Sequence, residues 1–439
     1  MRKRTRAAVS LAGACALLGG IALPVVLSAG PAMADYAPNY NDVVGVGSDT
    51  LQYLLDFGAD GDPSGDSGYN ASGNLYKLIN FDATADANAR YSWAVGATLN
   101  SPNPLDPTVV LRQGDYPVQR INGSGAGISA LLLDTGAVEQ INFARMSSNP
   151  TAAEGATAET NGWQGLQDFV AGVEHLREAA DLTTNAPNGG GTAGGLSTEQ
   201  LNAIYSANQG SCLTWHQVDS ADPSNDPIIP IIPQSGSGTR STFLADIGNP
   251  TLGTCVEIGE ENDPTAITSI TTKTNPNTGG TGSNTTCYNG TATSTPVACS
   301  IDAIEPFSGA RLNLWSGQSG NTTYGANPGT GYFHDPTANF PGGAVLVPGI
   351  AQMSFSGNAS DGNPVYNDTR NLNIVYRWTD QISTTPWQPG GSLNWAVSLF
   401  CKTSASQPTP FFQTPAGKTL IAEAGADPSI QSCLTTPLT

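Results

Sequence analysis

The sequence predicts an α/β protein with largely parallel strands, and three observations predict it. Short apolar runs feed directly into helical patterns at "DVVGVGSDTLQYLLDF", "PVQRINGSGAGISALLL" and "PIIPIIPQSGSGTRSTF". Other strand-like runs alternate with helical ones along the rest of the chain, the order expected when helices cover a sheet. The length of 439 residues suits two lobes or domains with an ample core, and no repeat of fixed period is visible.

The elements follow in order. Residues 1–34 have a basic start, an apolar middle and a small-x-small end at Ala32-Met33-Ala34. They read as a secretory signal peptide cut after Ala34. No later run is long and apolar enough to span a bilayer. Val43–Gly47 reads as a strand, and Leu51, Leu54 and Leu55 as a helix face, so Ser48-Asp49-Thr50 lies at their junction. "TVVLR", "PVQRI" and "EQINFARMSSNP" read as strands. Trp163, Leu166, Phe169, Val170, Val173 and Leu176 trace a helical stripe. Ser197-Thr198-Glu199-Gln200 is a capping box that opens a helix through Tyr205. "PIIPIIP" is a buried strand, with Phe243, Leu244 and Ile247 on the helix that follows. "AIEPFSGARL" and "LNIVYRW" are further strands, and Thr414-Pro415 an N-cap and first helical residue. Residues 260–300, rich in Thr, Asn, Gly and Ser, read as a long surface insertion.

Charge and cysteine usage narrow the function classes. Four of the 17 basic residues and none of the 36 acidic ones lie in the leader, so the mature 405 residues carry a formal charge of −23. Such a field argues against nucleic acid and anionic membranes as partners. Any bound anion must be held by local dipoles. Six cysteines remain after the leader, an even count that reads as three disulfides in an exported chain. Sequence order suggests Cys212–Cys255, Cys287–Cys299 and Cys401–Cys433, one of 15 pairings. No metal centre is expected, because the spacings lack C-x₂-C and the chain has three histidines. The loop from Asp60 places Asp60, Asp62 and Asp66 at calcium-loop spacing, but Ala71 stands where the closing glutamate belongs. It reads as an acidic solvent loop.

The chemistry-bearing residues lie at three strand-to-helix turns, with Ser48 and Thr50, then Ser124, then Ser237 and Thr239. The first turn of a helix leaves backbone N–H groups without partners and carries positive potential. Glycines admit a ligand close to the backbone, and hydroxyls add donors. One such turn is an ordinary cap. Three, two of them spelling G-S-G, point to an anion site built without lysines.

"GSDTL", "INGSGAGI", "INFARMSS", "LSTEQLNAIYSAN…W" and "PIIPQSGSGTRSTF" stand in the order seen in the phosphate-binding proteins of bacterial phosphate ABC transporters, and the chain resembles that family over roughly residues 43–400. The resemblance implies a two-lobed type II periplasmic-binding-protein fold with a hinge between the lobes. Lobe I would take residues 35–155, lobe II 156–335 with the 260–300 insertion, and 336–439 would return to lobe I with the C-terminal helices. It implies ligand donors at Ser48 and Thr50, at Ser124 with the amides of Gly125 and Ala126, and at Ser237, Gly238 and Thr239 from the opposite lobe. Arg145, Ser147 and Ser148 match a loop that supplies further ligands.

Two departures stand out. The family commonly places an aspartate in the cleft to accept the proton of hydrogen phosphate; here Asp49 is either that acceptor or an N-cap facing away. Some members carry an arginine where Pro233 stands, so Arg145 or Arg240 is the expected source of charge, Arg145 being favoured. The resemblance implies a secreted or cell-envelope monomer that captures phosphate or a similar oxyanion for an ABC permease, with no cofactor and no enzymatic activity. A sensor, scavenger or scaffold on the same fold is the alternative. A hydrolase is disfavoured, because the chain has no G-x-S-x-G elbow.

Overall fold

The computed structural model describes residues 37–62, 65–83, 108–181, 195–222, 224–263, 265–268, 287–288, 296–297, 302–316 and 350–439. The leader, Cys299 and most of the 260–300 insertion lie outside the described residues. So the expectations of a signal peptide, of a Cys287–Cys299 bridge and of a surface insertion fall there.

β1 (Val43–Gly47) runs through a 3-10 turn (Asp49–Leu51) into α1 (Gln52–Asp60), and β2 (Leu78–Asn80) pairs beside it. A small hairpin of β3 (Thr108–Val109) and β4 (Val118–Gln119) precedes α2 (Ser124–Leu133), β5 (Phe143–Met146) and α3 (Ala152–Thr160). The long β6 (Leu166–Asp181) follows, then α4 (Thr198–Ser206), α5 (Trp215–Val218), β7 (Ile229–Pro233), α6 (Gly238–Asp246), β8 (Glu257–Gly259) and α7 (Thr265–Thr268). After the short pair β9 (Cys287–Tyr288) and β10 (Pro296–Val297) come β11 (Ala303–Ser308), α8 (Gly309–Ser316), β12 (Ile350–Gln352) and β13 (Asp368–Arg377). The chain ends with α9 (Trp378–Ile382), α10 (Trp395–Leu399), α11 (Pro415–Glu423) and β14 (Ser432–Cys433).

The main sheet runs β2-β1-β5-β13-β6-β11-β7-β8. Its two wings are parallel: β1 pairs with β2 and β5, and β7 pairs with β8 and β11. Its centre is antiparallel, where β13 and β6 bridge the wings. The fold therefore has two lobes, one around each parallel wing, and β6 and β13 pass from one to the other. The β6–β13 register slips between Leu372 and Asn373, a bulge that bends and twists the ladder midway between the lobes.

The helix expected over 163–176 is corrected: Leu166–Asp181 is one strand of 16 residues. The apolar spacing misled because β6 is covered on both faces. Phe169, Ala171 and Ala179 enter one core, while Leu166 enters the core of the first lobe and Leu176 and Ala180 that of the second. A strand buried on both sides shows no alternation, and its apolar residues match a helical template by chance. His175 lies on this strand.

The remaining expectations hold where local chemistry decides them. Ser197 caps α4 in a reciprocal box with Gln200, and Thr414 caps α11 with Pro415 at its first position. β7 is buried throughout despite its two prolines, with Ile228 and Ile232 packed among Leu201, Tyr205 and Phe243. The disulfides Cys212–Cys255 and Cys401–Cys433 are present, with Cα–Cα separations of 5.9 and 6.0 Å. No helix of the described residues is long and apolar enough to cross a membrane.

Candidate functional site

Three strand-to-helix junctions meet where the lobes touch. Gly47 ends β1 at φ 117°, a conformation that suits glycine, and a Cβ there would lie 2.6 Å from the Arg145 carbonyl oxygen. Ser48 then caps the 3-10 turn, its Oγ accepting from the Thr50 amide at 3.3 Å. Ser124 opens α2, and its Oγ accepts from the Ser147 amide at 2.9 Å. From the second lobe, Ser237 caps α6 by accepting from the Arg240 amide at 3.1 Å. Ser48, Thr50, Ser124, Ser147, Ser237 and Thr239 are all buried.

These hydroxyls form one cluster. Ser48 Oγ donates to Ser147 Oγ at 3.0 Å, and Ser147 Oγ lies 3.3 Å from Ser124 Oγ. Gly238 packs against that pair so closely that a Cβ would collide with both oxygens. The Gly125 amide donates to the Gly236 carbonyl at 3.0 Å, so it is engaged by the opposite lobe. Ala126 lies half-buried in the first turn of α2, and Ser148 is half-buried with its carbonyl accepting from Asn373 at 3.0 Å.

Cations reach this cluster from places the sequence reading did not single out. Arg370, on β13, makes a two-pronged contact with Glu174 of β6 at 2.6 and 2.8 Å. Its Nη2 also donates to Thr239 Oγ1 at 2.9 Å and lies 3.5 Å from Thr50 Oγ1. Arg311, in α8, pairs with Asp49 at 2.8 Å and stacks over the Tyr53 ring. Both arginines are buried, as are Asp49 and Glu174. Glu174 is completed by the Ser308 hydroxyl and by the Ala310 amide at 3.0 Å.

The two arginines expected to supply charge are placed elsewhere. Arg145 is fully buried beneath the first turn, donating to the carbonyls of Gly47, Ser48 and Phe81 and to Asn80. Burial pushes its guanidinium down to about 10, with Asp56 and other carboxylates opposing. It braces the backbone that presents Ser48. Arg240 turns back to the Pro233 carbonyl at 3.0 Å. The capping alternative for Asp49 is also corrected, since Ser48 is the cap; the Asp49 carboxylate faces Arg311 and, at 3.3 Å, Asn262 Nδ2.

A carboxylate lies among the hydroxyls. Glu261, fully buried, accepts at Oε1 from Thr239 Oγ1 at 2.8 Å, from Thr50 Oγ1 at 3.1 Å and from Ser147 Oγ at 3.5 Å. Burial pushes this carboxyl above its ordinary range and Asp49 adds to that, while Arg370 and the two threonines oppose it. The sequence reading missed Glu261 because it lies at the mouth of the stretch read as an insertion. Arg311 had a visible signal. "FSGAR" (307–311) is a fourth strand-to-helix turn with a small-residue pair before an arginine, and the Arg311 amide donates to Ser308 Oγ at 3.1 Å.

The acidic loop separates. Asp62 and Asp66 converge with Glu423 of α11, one oxygen of each lying within 4.8 Å of the others. Asp60 instead accepts from Asn70 at 2.9 Å.

Residues 112–309 match the family described as a PBP superfamily domain. Among solved structures, the chain is similar to a phosphate ABC transporter substrate-binding protein from Clostridium perfringens solved with bound phosphate. That likeness has 12% identity and a TM-score of 0.42, covering 88% of this chain and 98% of that one. It is similar at 13% identity and a TM-score of 0.40 to an ABC-type phosphate transport receptor from Vibrio cholerae, covering 88% and 99%. A human phosphate-binding apolipoprotein matches at 16% identity and a TM-score of 0.30, covering 76% and 81%. No curated protein matches the chain.

Proposed function

We propose that this chain, which carries a PBP superfamily domain over residues 112–309, is a solute-binding protein that captures phosphate or a similar tetrahedral oxyanion between its lobes for delivery to an ABC permease. The observation that carries the reading is Arg370. It is 5% exposed, its Nη1 has no hydrogen-bond partner among the described residues, and it stands beside hydroxyls contributed by helix starts of both lobes. A buried guanidinium donor without a partner is costly and calls for an acceptor. Ser48, Thr50, Ser124, Ser147, Ser237 and Thr239 supply neutral donors that replace the hydration shell of an anion, with Gly238 allowing the lobes to approach. Asp49 serves this site through Arg311 rather than by touching the ligand, and Arg145 by holding the first turn. Binding follows from the better contacts an anion makes with the closed lobes than with the open ones.

Calorimetric titration with phosphate, sulfate and molybdate at neutral pH tests the reading. Phosphate is expected to bind, and Thr239→Val to weaken it about tenfold through one lost hydrogen bond. Absence of heat and of thermal stabilisation with all three anions would remove the reading. It would favour a non-transport scaffold on the same fold, an alternative that the seat taken by Glu261 already supports.

A further inference from the structure

Glu260, Glu261 and Asn262 form a strap that leaves β8 in the second lobe and grips the first. Asn122 and Gln234 both donate to Glu260 Oε1, the latter at 3.2 Å. Asn262 donates to Thr50 Oγ1 at 3.1 Å and accepts at Oδ1 from the Ser308 amide at 2.9 Å. It holds a φ of 55°, a left-handed conformation that asparagine tolerates better than most residues. Between them the Glu261 amide is fixed by Gln234 Oε1 at 2.7 Å, and its carboxylate points into the hydroxyl cluster.

A carboxylate oxygen and an oxyanion oxygen ask for the same donors. Glu261 Oε1 takes Thr50 and Ser147 from one lobe and Thr239 from the other. We propose that Glu261 is a built-in occupant of the oxyanion seat, an internal carboxylate that holds the lobes together and that an incoming anion must expel. The identity of that incoming anion rests on the oxyanion reading above; the occupancy by Glu261 does not. A second anion entering while Glu261 stays would place two like charges in one ring of hydroxyls. The cost of expelling Glu261 lowers apparent affinity by the fraction of molecules whose seat is open.

The test uses the mature chain and its Glu261→Gln and Glu261→Ala variants. The first keeps the shape of the strap and removes its charge. Phosphate is titrated calorimetrically, and formate is followed by thermal shift. At least about tenfold tighter phosphate binding in both variants is expected, which corresponds to a closed seat in nine molecules of ten or more. Formate is expected to raise the melting point of Glu261→Ala and to leave the wild type unchanged, because it refills the vacated position. Unchanged or weaker phosphate binding in Glu261→Gln, with no formate response in Glu261→Ala, overturns the proposal and leaves the oxyanion reading standing. A formate response without phosphate binding in any of the three proteins upholds the occupant and removes the oxyanion reading.

Discussion

Asp49 and Arg311 stand 262 residues apart in the chain and meet at 2.8 Å with almost no exposure. Such a pair adds little against an apolar replacement, but breaking it strands a buried charge. Asp49→Asn is expected to cost about 3–5 kcal/mol in chemical denaturation, and the double change Asp49→Leu with Arg311→Met to recover most of that. A different cost falls on Asp168, whose carboxyl burial pushes up to about 7. Its folded value exceeds its unfolded one, so the folded state binds more protons and stability falls as pH rises between about 4 and that value. Asp168→Asn is expected to raise the melting point at pH 7 and to flatten that decline in a pH series of thermal melts. Glu305 acts with the same sign: it is fully buried without a hydrogen-bond partner among the described residues, and burial first, then Asp263, pushes its carboxyl well up. Neither cost is visible in the sequence, where Asp168 falls in a stretch read as helix and Glu305 in one read as strand.

At the scale of elements, α6 meets the other junctions at close range. Gly238 is its first residue, and there Ser124 and Ser147 of the other lobe leave no room for a methyl group. Gly238→Ala suits a helix but obstructs closure. Phosphate binding is expected to weaken more than about tenfold, with a larger radius of gyration in small-angle scattering and an unchanged helix signal. The second element prediction concerns β14, which pairs with β6 and is tied to the segment just after α10 by Cys401–Cys433, a separation of 32 residues. Replacing both cysteines by alanine is expected to cost about 3–4 kcal/mol by the loop-entropy relation, read as an earlier denaturation midpoint. The elements themselves were largely legible, because caps and turns are local. Ser197 with Gln200, Thr414 with Pro415 and the three junctions at 47–52, 123–127 and 236–240 all act within a few residues. β6 was not legible, because its two covered faces belong to different cores.

For the whole molecule, the formal charge of −19 over the full sequence opposes the approach of any anion. Screening that field helps association, so the phosphate on-rate is expected to rise between about 0.01 M and about 0.15 M salt, opposite to the trend for a steered ligand. Stopped-flow traces with a lobe-closure fluorophore measure it. By itself the sequence determined the α/β class, the three hydroxyl-bearing junctions and the order of the two observed disulfides, since each is a matter of neighbouring residues or of chain order. Only the tertiary structure decided which charges lie beside the hydroxyl cluster. Arg370 reaches Thr239 and Arg311 reaches Asp49, while Arg145 lies beneath the first turn and Arg240 turns back to Pro233, and Glu261 lies among the hydroxyls, because burial and pairing between residues far apart in the chain are set by how the lobes pack.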